Sequence, residues 1–391
     1  MASSRRAAVV GALPGAGNRG DRSVCLDNLK VVLIAAIIAM HAVVGYSTLE
    51  VWTYSGLREV TLHPAVEAGL ILVVLPFGLV LMALFFLVAG LLSVPSVRRK
   101  GPGRFARDRL VRLGIPFLGY VLLIQPVTVY ALEHPLGGAP GSFWEEFLGD
   151  EGVLDSGPLW FVGALLVYSL AYAAWVRFRA GNQAPAERAI TVGRLALTAV
   201  VVAPTSFAIR LIWPYGSDAG LTDLNFWQWP ACVAVFTLGL TAFGQGWVQA
   251  IPDDIQARCR AITAVAAVAT AGLLAGAGLS DHFDDLLGGW NPWAAGFAAV
   301  DAVLCVFGSV WLLSIAQRRL TRPLPHGRAL SRSAYAAFIV QTPVLIALAL
   351  ALRPVGVPAE VKALLVAAGG IAGSYALAWG LTRIPGVRCI L

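Results

Sequence analysis

The chain is 391 residues long, 58% hydrophobic and only 13% charged, with a mean hydropathy of +0.74. A water-soluble domain carries about a quarter charged residues, so this composition excludes one. The formal net charge of +7 is accounted for by membrane topogenesis, which leaves no role for nucleic acid as a partner.

Residues 1–22 are Ala, Gly, Ser and Arg without a period and read as a disordered cytoplasmic arm. Arg5-Arg6 is similar to a twin-arginine signal, but Ala7 to Ala12 is too short to be its apolar region. Residues 23–391 form the transmembrane domain. Its apolar runs fall at about 29–48, 68–95, 113–132, 158–176, 190–213, 226–247, 260–279, 292–316, 333–352 and 361–383, each of a length that spans hydrocarbon. Backbone groups there must bond internally, so the runs are helices, and the strand alternation of a barrel is absent. The expected fold is therefore all-α, a polytopic bundle of about ten transmembrane helices. The second run is long enough to tilt or to break near Pro76. No inverted repeat of the kind many transporters use is visible.

Orientation follows from basic residues, which favour the cytoplasmic side. With a cytoplasmic N-terminus, all of the 29 Lys and Arg except Arg58, Arg210, Arg353 and Lys362 lie inside. Glu145, Glu146, Asp150, Glu151, Asp155, Asp281, Asp284 and Asp285 lie in outer loops. Both termini are then cytoplasmic, in a multi-pass protein of the plasma membrane in contact with its lipids. Cys25, Cys259 and Cys389 face the reducing side and Cys232 and Cys305 lie within spans. Neither a structural disulfide nor a metal site is expected.

Ionisable residues inside spans cost about 2.5 kcal/mol or more at mid-bilayer and so point to function. His41 lies eleven residues beyond Lys30 on the first helix, about 16 Å deeper, where a neutral imidazole can act as a base or simply pack against a neighbour. Arg109 and Arg112, three apart on a helix, suit phosphate; the plainer reading is topogenic charge beside anionic lipid. Asp301, midway along the eighth span, reads as structural glue ahead of catalysis. Arg210 is near enough to the interface to snorkel. A competing function is a secondary transporter with His41 and Asp301 as a proton relay.

Taken in order, the motifs resemble those of the acyltransferase-3 family of bacterial membrane O-acyltransferases. Lys30, ten residues, then His41 stands where the family has Arg, ten residues, then His. Phe85-Phe86 followed by Ala89-Gly90, then Arg109 and Arg112, then Leu159-Trp160-Phe161 follow in family order. FTLGLTAFGQGW and SAYAAFIVQTPVLIALAL resemble later stretches, so the likeness covers about residues 24–383. Lys30 keeps the usual charge without the planar fork, and Gln341 stands where many members carry a second His. LDNLKV, HAVVGYST and RLGIPFL lean toward the glucan-modifying branch.

The resemblance implies transfer of a short acyl group, acetyl or succinyl, from cytoplasmic acyl-CoA to a hydroxyl of an extracytoplasmic or membrane-embedded acceptor. The acceptor would be a carbohydrate or a secreted metabolite. No cofactor is bound permanently; acyl-CoA is a co-substrate. Lys30, Arg109 and Arg112 would hold the CoA phosphates and His41 would be the catalytic base. Trp160, Gln341 and Asp301 are the candidates for contact with substrate, Trp160 and Gln341 also for stabilising an oxyanion. Cysteine introduced at Gly137 or Ser280 is expected to react with an impermeant thiol reagent from outside the cell. Cysteine at Ser331 is not, and labelling there would break the ten-span topology.

Overall fold

The computed structural model describes residues 19–49, 58–133, 155–179, 189–217 and 223–390. Residues 1–18 of the arm expected over 1–22, and the loop acids Glu145, Glu146, Asp150 and Glu151, lie outside the described residues; residues 19–22 are not disordered but open the helix Arg19–Val44. Among those described there is no strand, and ten helices are long and apolar enough to cross a membrane. They are α1 (Val24–Val44), α2 (Pro64–Lys100), α3 (Pro102–Thr128), α4 (Gly157–Phe178) and α5 (Val192–Arg210). The second half holds α6 (Phe226–Gln245), α7 (Asp253–Leu279), α8 (Pro292–Arg319), α9 (Gly327–Leu352) and α10 (Ala359–Leu381).

Each apolar run has its helix, but several helices overrun the run at the basic end. α2 passes through Pro76 and Pro95 and continues to Lys100, so no break occurs at Pro76. Gly101 (φ 78°) turns the chain, its N–H bonding Val97 O, and Pro102 opens α3. Pro suits this first position because its missing N–H would have no partner there anyway. Arg104, Arg107, Arg109 and Arg112 therefore ride on a helix rather than in a loop. α7 and α9 likewise begin at Asp253 and Gly327, ahead of the positions near 260 and 333 that hydropathy suggests. An apolar run measures hydrocarbon thickness only; the backbone hydrogen bonds continue into the polar zone.

α2 is the central post, packed against α1, α3, α4, α6 and α8. Its tightest crossing is with α6. A Cβ on Gly90 would overlap Phe236 O and come 3.1 Å from Gly239 Cα; a Cβ on Gly239 would overlap Leu87 O. Two backbones touch here, as small residues permit in membranes, where close packing and not exclusion of water drives helix association. A second group is formed by α9 and α10 with α1 against both. Elsewhere large apolar side chains such as Leu197, Val268 and Leu364 are exposed, which only a lipid solvent tolerates on this scale.

Both ends of α1 are tied down. At the basic end Asn28 Nδ2 donates to Leu320 O (2.9 Å) and Arg322 O (2.7 Å) at the tail of α8. At the other end Leu62 N donates to Tyr46 O (2.9 Å), and Thr48 donates through N (2.7 Å) and Oγ1 (2.6 Å) to the buried carboxylate of Glu67. Nearby, the buried Lys362 pairs with Glu59 and donates to Arg353 O (3.2 Å). Burial alone would raise the Glu59 carboxyl; the bond from Lys362 and its charge outweigh this and hold it below the ordinary carboxylate range.

Gly90→Ala is expected to lower thermal stability in detergent by about 1–3 kcal/mol, the usual cost of overpacking. Gly69→Ala, on the same helix but facing open space, should be neutral or stabilising. Equal effects of the two would show that the α2–α6 contact is not tight.

Candidate active site

The site begins on α1. Lys30, at its basic end, is exposed and paired with Asp27 (3.6 Å). Asp27 also accepts from Ser331 Oγ of α9 (2.7 Å). Three turns deeper His41 is half-buried, with Nδ1 3.1 Å from Gln341 Oε1 on α9. An amide oxygen only accepts, so in the neutral imidazole Nδ1 carries the proton and Nε2 keeps its lone pair. Gln341 is fully buried, and its Nε2 has no hydrogen-bond partner among the described residues. Leaving a buried donor unpaired costs about 1–3 kcal/mol.

Beside His41 is a cavity of about 10 Å³, room for one water-sized molecule. Ala42 lines it from α1, Gly45 and Tyr46 from the turn just after, Leu345 and Ala349 from α9, and Val366 from α10. Those on and just after α1 follow His41 in sequence, and those on α9 follow Gln341. The space thus lies on the side of His41 away from Lys30.

Rings from three helices build a wall next to Gln341. Phe338, one turn before it, meets Phe161 edge-on at 4.9 Å. Phe161 packs on Phe85 (5.6 Å) and Phe86 (6.4 Å), and Phe86 reaches Trp160 (6.5 Å) and Tyr168 (5.3 Å). Trp160 Nε1 is engaged at 3.1 Å by the side-chain oxygen of Asn225, once that amide is turned to satisfy both its neighbours. The residue after Gln341 starts a polar chain that sequence reasoning missed. Thr342 Oγ1 is 3.1 Å from Tyr120 OH, which donates to Gln125 Oε1 (2.8 Å). Gln125 Nε2 donates to Asp155 Oδ2 (2.5 Å), whose other oxygen accepts from Gly157 N (2.6 Å). These side chains are uncharged apart from Asp155, so a search for ionisable groups passes over them; Gln125 inside an apolar run was the available signal.

The start of α3 lies at the same end of the bundle as Lys30. Arg109 is half-buried, its guanidinium 5.0 Å from the Phe105 ring, and Arg98 covers Phe243 at 5.3 Å. Arg112 is exposed and sits in a widened π-helical turn, Leu110–Gly114. The one-face pairing of Arg109 and Arg112 expected from three-residue spacing is thus uneven: one packs on a ring and the other is open. Lys100 and Asp108 form an ion pair across the elbow.

A family model described as an acyltransferase domain, acyltransferase-3, matches residues 23–383. The chain belongs to this family. No curated protein and no solved structure gives a significant match. The protein is accordingly an acyltransferase, and with ten membrane-length helices a membrane protein.

Two motif glycines of this acyltransferase have a structural explanation, since Gly90 and Gly239 form the α2–α6 contact. Asp301 is placed with a different set of residues from His41. It is fully buried on α8, forms an ion pair with Arg210 of α5, and accepts from Cys305 Sγ at 3.2 Å. The expectation that Arg210 snorkels to the interface is overturned: it is 1% exposed, between the rings of Tyr215 (5.2 Å) and Phe297 (5.3 Å). The packed turn after α5 and the Asp301 charge hold it inward. Asp301→Asn is expected to cost about 3–5 kcal/mol, because it leaves a buried guanidinium uncompensated. The double change Arg210→Met with Asp301→Leu should recover most of that loss in thermal unfolding. A single change without effect would show that the pair is not a buried counter-charge.

Proposed function

We propose that this acyltransferase moves a short acyl group, acetyl or succinyl, from cytoplasmic acyl-CoA to a hydroxyl of a glycan at or beyond the far side of the plasma membrane. The observation that carries the reading is His41. Its imidazole is hydrogen-bonded through Nδ1 to Gln341, and it borders a cavity directed away from the basic end. On this reading the N-terminus is cytoplasmic, CoA phosphates rest near Lys30, Arg109 and Arg112, and the acyl thioester extends about 16 Å along α1 to His41. The acceptor enters from the cavity side.

His41 Nε2 takes the hydroxyl proton as the acceptor oxygen bonds to the thioester carbon. The tetrahedral intermediate then expels the CoA sulfur, which leaves with that proton as the free thiol. Atoms and charge balance without a further reactant. A base placed in this way contributes about 10²–10⁴-fold.

The test is release of CoA thiol from acetyl-CoA or succinyl-CoA by purified protein in liposomes loaded with a glucan oligosaccharide. His41→Gln is expected to lower turnover by about 10²–10⁴-fold with acyl-CoA binding and folding preserved. Turnover within a few-fold of wild type would make His41 a packing residue. Arg112→Glu, at the exposed position, should weaken acyl-CoA binding at least several-fold, in line with about 1.5–3 kcal/mol per charge-assisted contact.

A further inference from the structure

We infer that Gln341 is itself catalytic: its amide oxygen sets the His41 tautomer while its amide nitrogen donates to the thioester carbonyl oxygen as negative charge develops there. This rests on the acyl-transfer reading above and deepens it.

Three observations support the assignment. The Gln341 side chain is fully buried, yet one end is bonded to His41 Nδ1 and the other, Nε2, meets no acceptor among the described residues. Buried donors in native proteins have partners, and packing alone would be met better by leucine. A donor left open beside a base is the arrangement that a developing oxyanion completes. Two polar neighbours have partners of their own: Trp160 Nε1 faces Asn225, and the Thr342 hydroxyl lies against Tyr120. Finally, the cavity is lined by His41 and by Leu345, one turn after Gln341, and Gln341 reaches it through the imidazole, 3.1 Å from its Oε1.

The chemistry needs one side chain that accepts and donates at once. When the acceptor oxygen bonds to the carbonyl carbon, the C=O electron pair moves onto oxygen and the hydroxyl proton moves to His41 Nε2. The Gln341 N–H bond to that oxygen strengthens at the same moment. When the C–S bond breaks, the pair returns to C=O and the proton leaves with sulfur. Glutamine does this without titrating, so its donor is present at every working pH. A neutral imidazole also has one donor and one acceptor, but it can lose that division by protonation.

The experiment compares Gln341→Leu, Gln341→Glu and Gln341→His in the same CoA-release assay, with thermal stability and acyl-CoA binding measured alongside. Gln341→Leu removes both functions and should lower kcat by about 10²–10³-fold without loss of stability. Gln341→Glu keeps an acceptor for Nδ1–H but has no donor. Its kcat should fall similarly, with KM for acyl-CoA within a few-fold. Gln341→His restores both and should stay within about tenfold of wild type, with an added ionisation in its pH–kcat profile. A Leu variant turning over within a few-fold of wild type, while His41→Gln remains inactive, overturns the inference and leaves the acyl-transfer reading standing. A Leu variant that loses stability and activity together, with Gln341→His equally inactive, also overturns it in favour of a structural amide. Wild-type protein that releases no thiol, or an active His41→Gln, would instead overturn the functional reading.

Discussion

The bundle depends on two backbones touching. At Gly90 and Gly239 the carbonyls of one helix occupy the space where the other would carry a side chain. In lipid there is no hydrophobic gain from hiding apolar surface, so helix pairs hold by contact at short range. This crossing fixes α2 against α6, and α3, α4 and α8 are in turn packed on α2. The Phe85-Phe86 pair sits one turn before Gly90 on the same helix. Its meeting with Trp160 and Phe161 is thus set by the same approach.

Charge inside the protein is handled in two ways. Arg210 with Asp301 and Lys362 with Glu59 are pairs in which each buried ion faces its opposite. In these pairs the charges are matched, while Arg210 Nε and Nη1 have no hydrogen-bond partner among the described residues. The His41–Gln341 pair carries no obligatory charge, and the amide Nε2 of Gln341 has no hydrogen-bond partner among the described residues. Chemistry needs polar groups that can change partners, and this uncharged pair includes the residue that borders the cavity.

Much of this was legible in the chain. Ten apolar runs gave ten helices, because length and hydropathy report hydrocarbon thickness directly. His41 and Gln341 could each be singled out as polar groups within apolar runs, but nothing in either run states that they are three ångströms apart; that depends on α1 lying against α9. The ends of α2, α3, α7 and α9 were misplaced, since helical hydrogen bonding outlasts the apolar run and its limits are set by corners such as Gly101-Pro102. Arg210 was misjudged because its distance from the helix end suggested snorkelling, whereas Asp301, 91 residues later, supplies the counter-charge that keeps it inside. The chain from Thr342 through Tyr120 and Gln125 to Asp155 was invisible for a related reason. Uncharged polar residues gain meaning only when a second helix brings their partner.

The ties at the two ends of α1 have a mechanical consequence. Asn28 fastens one end to the tail of α8, and the bonds to Tyr46 and Thr48 fasten the other to the start of α2. A helix secured in this way cannot slide along its axis to match a thinner or thicker bilayer, the usual response of a lone span to hydrophobic mismatch. Any adjustment must fall to the tilt of the whole bundle or to the lipid around it. The position of His41 relative to the rest of the bundle is therefore a dimension of the protein, set by these ties and not by the thickness of the bilayer.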